Sequence, residues 1–114
     1  TLSFGSANAL YAVDARTGVT EWSFTEPGSD VRSSPLVVGG TVYVGSRDDT
    51  LYAVDAETGS KEWEFTGADS DIVSTPTYFD GTRPVLPDVD PMIIVGSRDT
   101  TVYAVNAATG SKEW

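Results

Sequence analysis

Apolar residues along the chain fall in short clusters, broken every few positions by Gly, Asp, Ser or Pro. Leu10-Tyr11-Ala12-Val13, Thr41-Val42-Tyr43-Val44, Leu51-Tyr52-Ala53-Val54 and Val102-Tyr103-Ala104-Val105 are typical. No apolar period of 3.6 persists, and Gly or Pro recurs too often for a helix. Val, Tyr, Thr, Phe and Trp suit a pleated surface, so the clusters predict strands. The best-marked stretch predicts four: Ser34–Val38, Thr41–Gly45 after a Gly39-Gly40 turn, Leu51–Asp55 after Arg47-Asp48-Asp49, and Lys61–Thr66 after Glu57-Thr58-Gly59. Alternation is incomplete, because Thr41-Val42-Tyr43-Val44 carries apolar side chains on both faces. A sheet wet on one side alternates more cleanly, so these sheets should be covered on both sides.

The clusters repeat. Leu10-Tyr11-Ala12-Val13-Asp14 returns as Leu51-Tyr52-Ala53-Val54-Asp55 and again as Val102-Tyr103-Ala104-Val105-Asn106. The first step is 41 residues and the second is 51. Ser33-Ser34-Pro35 and Ser74-Thr75-Pro76 keep the shorter step, so the extra ten residues are Thr82 to Pro91. That insertion holds Pro84, Pro87 and Pro91. A unit of roughly 40 residues and four strands, stacked on both faces, has the signature of a propeller blade.

Each unit carries the spacing Ala-x-Asp/Asn-x-x-Thr-Gly-x-x-x-Trp. It runs through Ala12, Asp14, Thr17, Gly18 and Trp22, then Ala53, Asp55, Thr58, Gly59 and Trp63, then Ala104, Asn106, Thr109, Gly110 and Trp114. The Asp or Asn ends the third strand, where its side chain can accept from N–H groups two or three residues on. The Gly supplies the positive φ of the turn. The Trp has the area to bridge two sheets and one N–H that needs an acceptor.

In register three times, this spacing resembles the tryptophan-docking motif of PQQ-like (quinoprotein/BamB-type) β-propeller repeats. The resemblance implies an all-β fold of four-stranded antiparallel blades, with each indole packed on the Thr-Gly peptide of an adjacent blade. Residues 1–25 then form an incomplete blade that lacks its inner strand, 33–66 a full blade, and 74–114 a full blade with insertion 82–91. Family members usually have about seven or eight blades, so the chain reads as a propeller fragment. An open array of this kind exposes apolar blade faces, and self-association through them is expected.

Composition narrows the chemistry. The chain has no Cys and no His, so disulfides, Cys/His zinc sites and His- or Cys-based catalysis are excluded within it. Lys and Arg total 7 against 17 Asp and Glu, a formal charge of −10, which argues against nucleic acid and anionic lipid as partners. No apolar run approaches the ~20 residues of a membrane-spanning helix. The resemblance also raises a PQQ-dependent dehydrogenase, but the vicinal Cys pair known in those enzymes is absent, so no quinone site is expected in this segment. Asp88-Val89-Asp90 and Asp69-Ser70-Asp71 are weak Ca²⁺ candidates without the Gly placement of a defined calcium loop. In a chain poor in cations, Arg32, Arg47 and Arg98 are candidate partner-binding residues; at a surface they are expected to pair with nearby Asp48 and Asp99.

The reading reached is a non-catalytic propeller module that acts as a protein-interaction scaffold, with no catalytic, cofactor or metal residues and an extracytoplasmic or cell-surface setting. The alternatives are a segment of a quinone-dependent dehydrogenase and a cell-surface carbohydrate or adhesion domain. The acidic, Lys-poor composition resembles proteins of salt-loving archaea. At molar salt the Debye length is about 3 Å and carboxylates stop repelling one another. The melting temperature is therefore expected to rise as KCl goes from low to molar concentration. A melt indifferent to KCl would contradict the halophilic reading.

Overall fold

The computed structural model describes every residue except Thr1, Ala7, Arg32 and Val73. Ten strands, and no helix among the described residues, form three antiparallel sheets. The first is β1 (Leu2–Ser6), β2 (Ala9–Val13) and β3 (Thr20–Phe24). The second is β4 (Leu36–Val38), β5 (Thr41–Gly45), β6 (Leu51–Asp55) and β7 (Lys61–Phe65). The third is β8 (Thr77–Phe79), β9 (Met92–Gly96) and β10 (Val102–Asn106). Each is a meander, in which every strand pairs with its neighbour in sequence. Beside β10, Val105 bridges Lys112, and Glu113 N–H donates to the Ala104 carbonyl at 2.7 Å. Residues 112–114 therefore lie where β7 lies beside β6.

The expected first strand of the middle sheet, Ser34–Val38, is shortened to Leu36–Val38. Pro35 has no N–H to give a ladder. Just before it, a side chain does the pairing instead. Buried Ser33 accepts from Gly45 N–H at 2.7 Å and donates back to the Gly45 carbonyl at 3.2 Å. Ser74 holds Gly96 in the same way at 2.9 and 3.2 Å.

The middle sheet is buried on both faces, and this accounts for its incomplete alternation. Val42, Val44, Tyr52 and Val54 pack with Leu10, Phe24 and Val31 from the first-sheet side. Tyr43, Leu51, Trp63 and Phe65 pack with Ile93, Val95, Tyr103 and Val105 of the third sheet. The single-residue pleat sends neighbours in β5 to opposite interfaces.

Linkers stitch the interfaces from the side. Ile72 lies so close over Gly45 that a Cβ there would meet Ile72 Cγ2 at 2.3 Å and its carbonyl oxygen at 2.7 Å. Val31 lies over Gly5 in the same way. The Trp residues close the interfaces at the outer strands. Trp22 Nε1 donates to the Ala56 carbonyl at 2.9 Å, and Trp63 Nε1 to the Ala107 carbonyl at 3.0 Å. Trp22 covers Gly59 and Trp63 covers Gly110, with φ of 78° at both glycines. A side chain there would be strained by the left-handed backbone and blocked by the indole, at 2.8 and 2.6 Å.

Trp63, buried with its N–H bonded, fastens the second sheet to the third. Trp63→Ala is expected to destabilise by about 3–5 kcal/mol. Trp63→Phe, which keeps a ring but drops the N–H donor, is expected to cost less. Urea midpoints of the three proteins check both; a Trp63→Ala midpoint equal to wild type would refute the assignment.

Candidate functional site

Loops gather on two opposite ends of the sheets. At one end lie the β5–β6 and β9–β10 turns with the linkers that precede each sheet. Here one carboxylate in each of the second and third sheets organises the surface. Asp48 Oδ2 accepts the Tyr52 hydroxyl at 2.6 Å and the N–H of Gly28 in the preceding linker at 2.8 Å. Asp99 Oδ2 repeats this with the Tyr103 hydroxyl at 2.6 Å and Asp69 N–H at 2.9 Å. Their Oδ1 atoms accept from Thr50 and Thr101 N–H, closing each turn. The bonds from Tyr103, Asp69 and Thr101 hold the Asp99 carboxyl down at about 2, from an ordinary 3.8, while Asp99 in return pushes the Tyr103 phenol up. Burial, followed by Asp48, pushes the Tyr52 phenol up strongly.

The arginines take other partners than expected. Arg47 does not pair with Asp48, nor Arg98 with Asp99, because both carboxylates are turned inward onto the tyrosines. Arg47 Nε instead meets Asp71 Oδ2 at 3.2 Å, and an Arg47 terminal nitrogen stands 3.8 Å from Asp30. Arg98 stands 3.7 Å from Asp71. Asp30, Arg47, Asp71 and Arg98 thus form a chain of alternating charge across successive sheets. Backbone bonds back it: Arg47 N–H donates to the Asp30 carbonyl and Arg98 N–H to that of Asp71, both at 2.9 Å. Arg32 lies outside the described residues. The signal for the carboxylate role was present in sequence as Asp-x-Thr-x-Tyr at 48–52 and 99–103.

At the opposite end lie the Thr-Gly turns and the insertion. Asp14 Oδ1 accepts from Arg16 and Thr17 N–H at 2.8 and 3.1 Å, Asp55 Oδ1 from Glu57 and Thr58, and Asn106 Oδ1 from Ala108 and Thr109. These N–H bonds hold the Asp14 and Asp55 carboxyls below their usual range. Two open grooves of about 760 and 490 Å³ follow the sheet boundaries here. Glu62 borders both, and Tyr43, Tyr78 and Asp90 line the smaller.

The insertion is a closed loop. Val89 N–H donates to the Gly81 carbonyl at 2.9 Å, making a neck. Inside it, Arg83 Nε donates to the Pro87 carbonyl at 2.7 Å, and Arg83 N–H to Asp88 Oδ1 at 3.3 Å. The tip presents Val85, 89% exposed, and Leu86, 57% exposed, between Pro84 and Pro87.

Among the described residues no three acidic side chains converge as a metal site. The two calcium candidates are divided by their partners. Asp71 faces two guanidinium groups, while Asp88 accepts from Arg83 N–H and Asp90 lies 3.5 Å from Asn106 Nδ2. Among the described residues no helix is long and apolar enough to cross a membrane.

A family profile described as outer membrane protein assembly factor BamB matches residues 6–114. Among solved structures, BamB from Moraxella catarrhalis superposes over 96% of this chain with a TM-score of 0.71 at 17% identity. Quinohemoprotein alcohol dehydrogenase ADHIIG from Pseudomonas putida HK5 superposes over 98%, with a TM-score of 0.76 at 25% identity. The quinohemoprotein alcohol dehydrogenase from Comamonas testosteroni gives 0.74 at 24% over 98%. The chain spans only 31% of that BamB and 18% of each dehydrogenase. No curated protein matches it significantly.

The depressed Asp99 pKa has a pH consequence of definite sign. The folded state holds the carboxylate more tightly than the unfolded chain, so its contribution is complete above pH 4 and fades as pH falls from about 4 towards about 2. Asp99→Asn is expected to flatten the decline of melting temperature across that window. A parallel decline in wild type and variant would remove Asp99 from the acid response.

Proposed function

Because the chain belongs to the family described as outer membrane protein assembly factor BamB, we propose that it is a non-catalytic β-propeller module that binds protein partners through its loops. The observation that carries this is the 82–91 loop. It interrupts an otherwise regular repeat and is fastened at its neck and within itself. It holds two large apolar side chains out into water. Exposed apolar groups on a pre-ordered support lose little entropy on docking. Nothing in the packing of the sheets uses Val85 or Leu86, so their exposure has no structural return. The tip is flanked by Asp80, Asp88 and Asp90, which favours a partner whose pocket is rimmed by basic residues. An extracytoplasmic setting and a high-salt habitat accompany this reading.

A dehydrogenase segment is the second reading, favoured by the likeness to the two quinohemoprotein enzymes. On that reading the quinone site would be built by residues other than those described here.

A photocrosslinker placed at position 85 is expected to give a discrete protein adduct in native extract, lost with Leu86→Asp. The same probe at Thr58, on a turn of the same end, is expected to give none. Equal labelling from both positions would overturn the loop assignment. A saturable spectral shift on titrating the chain with quinone and Ca²⁺ would overturn the non-catalytic reading.

A further inference from the structure

The two grooves occupy equivalent places at successive sheet boundaries, yet their chemistry differs. Trp22 and Trp63 close the two boundaries in the same way, so the framework repeats. Four positions that border the grooves do not. Ser3, paired with Ala12, corresponds to Tyr43, paired with Ala53. Val37, Asp55 and Glu57 correspond through the repeat to Tyr78, Asn106 and Ala108. The first set lines the larger groove and the second lines the smaller. Asp90 joins the smaller groove from the end of the insertion. The exchange replaces charge by neutral hydrogen-bonding groups. Asp55, Glu57 and Glu62 give the larger groove three carboxylates. The smaller has two phenols, an amide and the carboxylates of Glu62 and Asp90.

These groups have bonding capacity left over. Asn106 is buried, with 9% exposed. Its Oδ1 is taken by the N–H groups of Ala108 and Thr109. That turn needs only Oδ1, which Asp14 and Asp55 also supply, so it does not account for the amide nitrogen. Asn106 Nδ2 reaches only Asp90 Oδ2, at 3.5 Å, beyond the usual range of a hydrogen bond. The Tyr43 hydroxyl donates to the Ala107 carbonyl at 3.4 Å, and Trp63 Nε1 already holds that carbonyl at 3.0 Å. Burial, with Glu62 and Tyr78 nearby, pushes the Tyr43 phenol up, so it stays a donor at neutral pH. Among the described residues neither Glu62 nor Asp90 forms an ion pair.

Donors and acceptors thus stand side by side in one open groove. A cation offers no acceptor to the Asn106 amide, and an anion would face two carboxylates. A hydroxyl both donates and accepts, and the C–H surface of a sugar ring suits a half-buried tyrosine such as Tyr78. We propose that the smaller groove binds a neutral sugar. Glu62 and Asp90 accept from its hydroxyls, while Asn106 and the two tyrosines donate to them. The volume of about 490 Å³ lies in the range of small-ligand sites. Ala108, in place of Glu57, leaves the rim clear. The site is separate from the partner contact assigned to Val85 and Leu86.

Saturation-transfer-difference NMR tests this, with methyl α-mannoside, methyl β-galactoside and N-acetylglucosamine as probes at a KCl concentration where the protein is folded. At least one probe is expected to give a saturable signal, and agmatine, a small cation, is expected not to displace it. Tyr78→Val and Asn106→Asp each restore the residue that the repeat carries elsewhere. Each is expected to keep the near-UV circular dichroism of the fold and to weaken binding about tenfold or more. Tyr78→Phe keeps the ring, loses only the hydroxyl, and is expected to weaken binding as well. Leu86→Asp is expected to bind sugar like wild type, which separates the groove from the loop tip. No saturable signal from any of the three probes would overturn the proposal. So would binding that survives both Tyr78→Val and Asn106→Asp, or displacement by agmatine, which would make the groove a cation site.

Discussion

Each sheet of this protein is apolar on both faces, and no sheet can bury both by itself. Everything else in the structure follows from that dependence. The middle sheet divides its side chains between two interfaces according to the pleat, with Val42 and Val44 on one side and Tyr43 on the other. The interfaces hold more than aliphatic packing. They are locked at two positions, the Trp at the outer strand and the linker Val or Ile over a second-strand glycine, while the Ser hydroxyl secures the entry to the inner strand within its own sheet. Stability in such an array is carried by contacts between neighbours and not by a central core.

The polar groups serve the same dependence. Asp48 and Asp99 tie the preceding linker to the tyrosine of the next sheet, and the Asp30–Arg47–Asp71–Arg98 chain continues that tie along the surface. Lys61 adds a bond across the first boundary, reaching Glu26 at 2.9 Å as well as Glu64 at 2.7 Å. Two of the few cations in the chain, Lys61 and Arg47, are thus placed at joints between sheets. The remaining acidity lies mostly on turns, where backbone N–H groups hold Asp14 and Asp55 in the charged form.

Much of this was legible in the residues. The third strand, the turn and the Trp recur at fixed spacing because one local solution is used three times, so periodicity exposes it. The second strand Thr41–Gly45 was readable to the residue for the same reason. The inner strand was overestimated, because a serine hydroxyl standing in for a ladder bond leaves no mark in a propensity pattern. The partners of Arg47 and Arg98 were misread for a related reason. Sequence proximity favoured Asp48 and Asp99, but those carboxylates had a stronger claim from tyrosines four residues on. The Asp71 pairing spans two sheets and depends on tertiary geometry. The insertion was visible as a lengthened repeat, whereas the exposure of its tip follows from the neck and internal bonds that fold the loop.

The neck of that insertion has one more consequence. Gly81 and Val89 are joined by a single backbone bond, and a Cβ at Gly81 would lie 1.9 Å from the Val89 carbonyl oxygen. The chain therefore leaves and re-enters the hairpin at almost one point, and β8 and β9 keep their pairing whatever lies between. Selection can rewrite the enclosed residues in length and content without shifting the register of a single strand. The loop can diverge there at a rate of its own, while the stack of sheets that carries it stays unaltered.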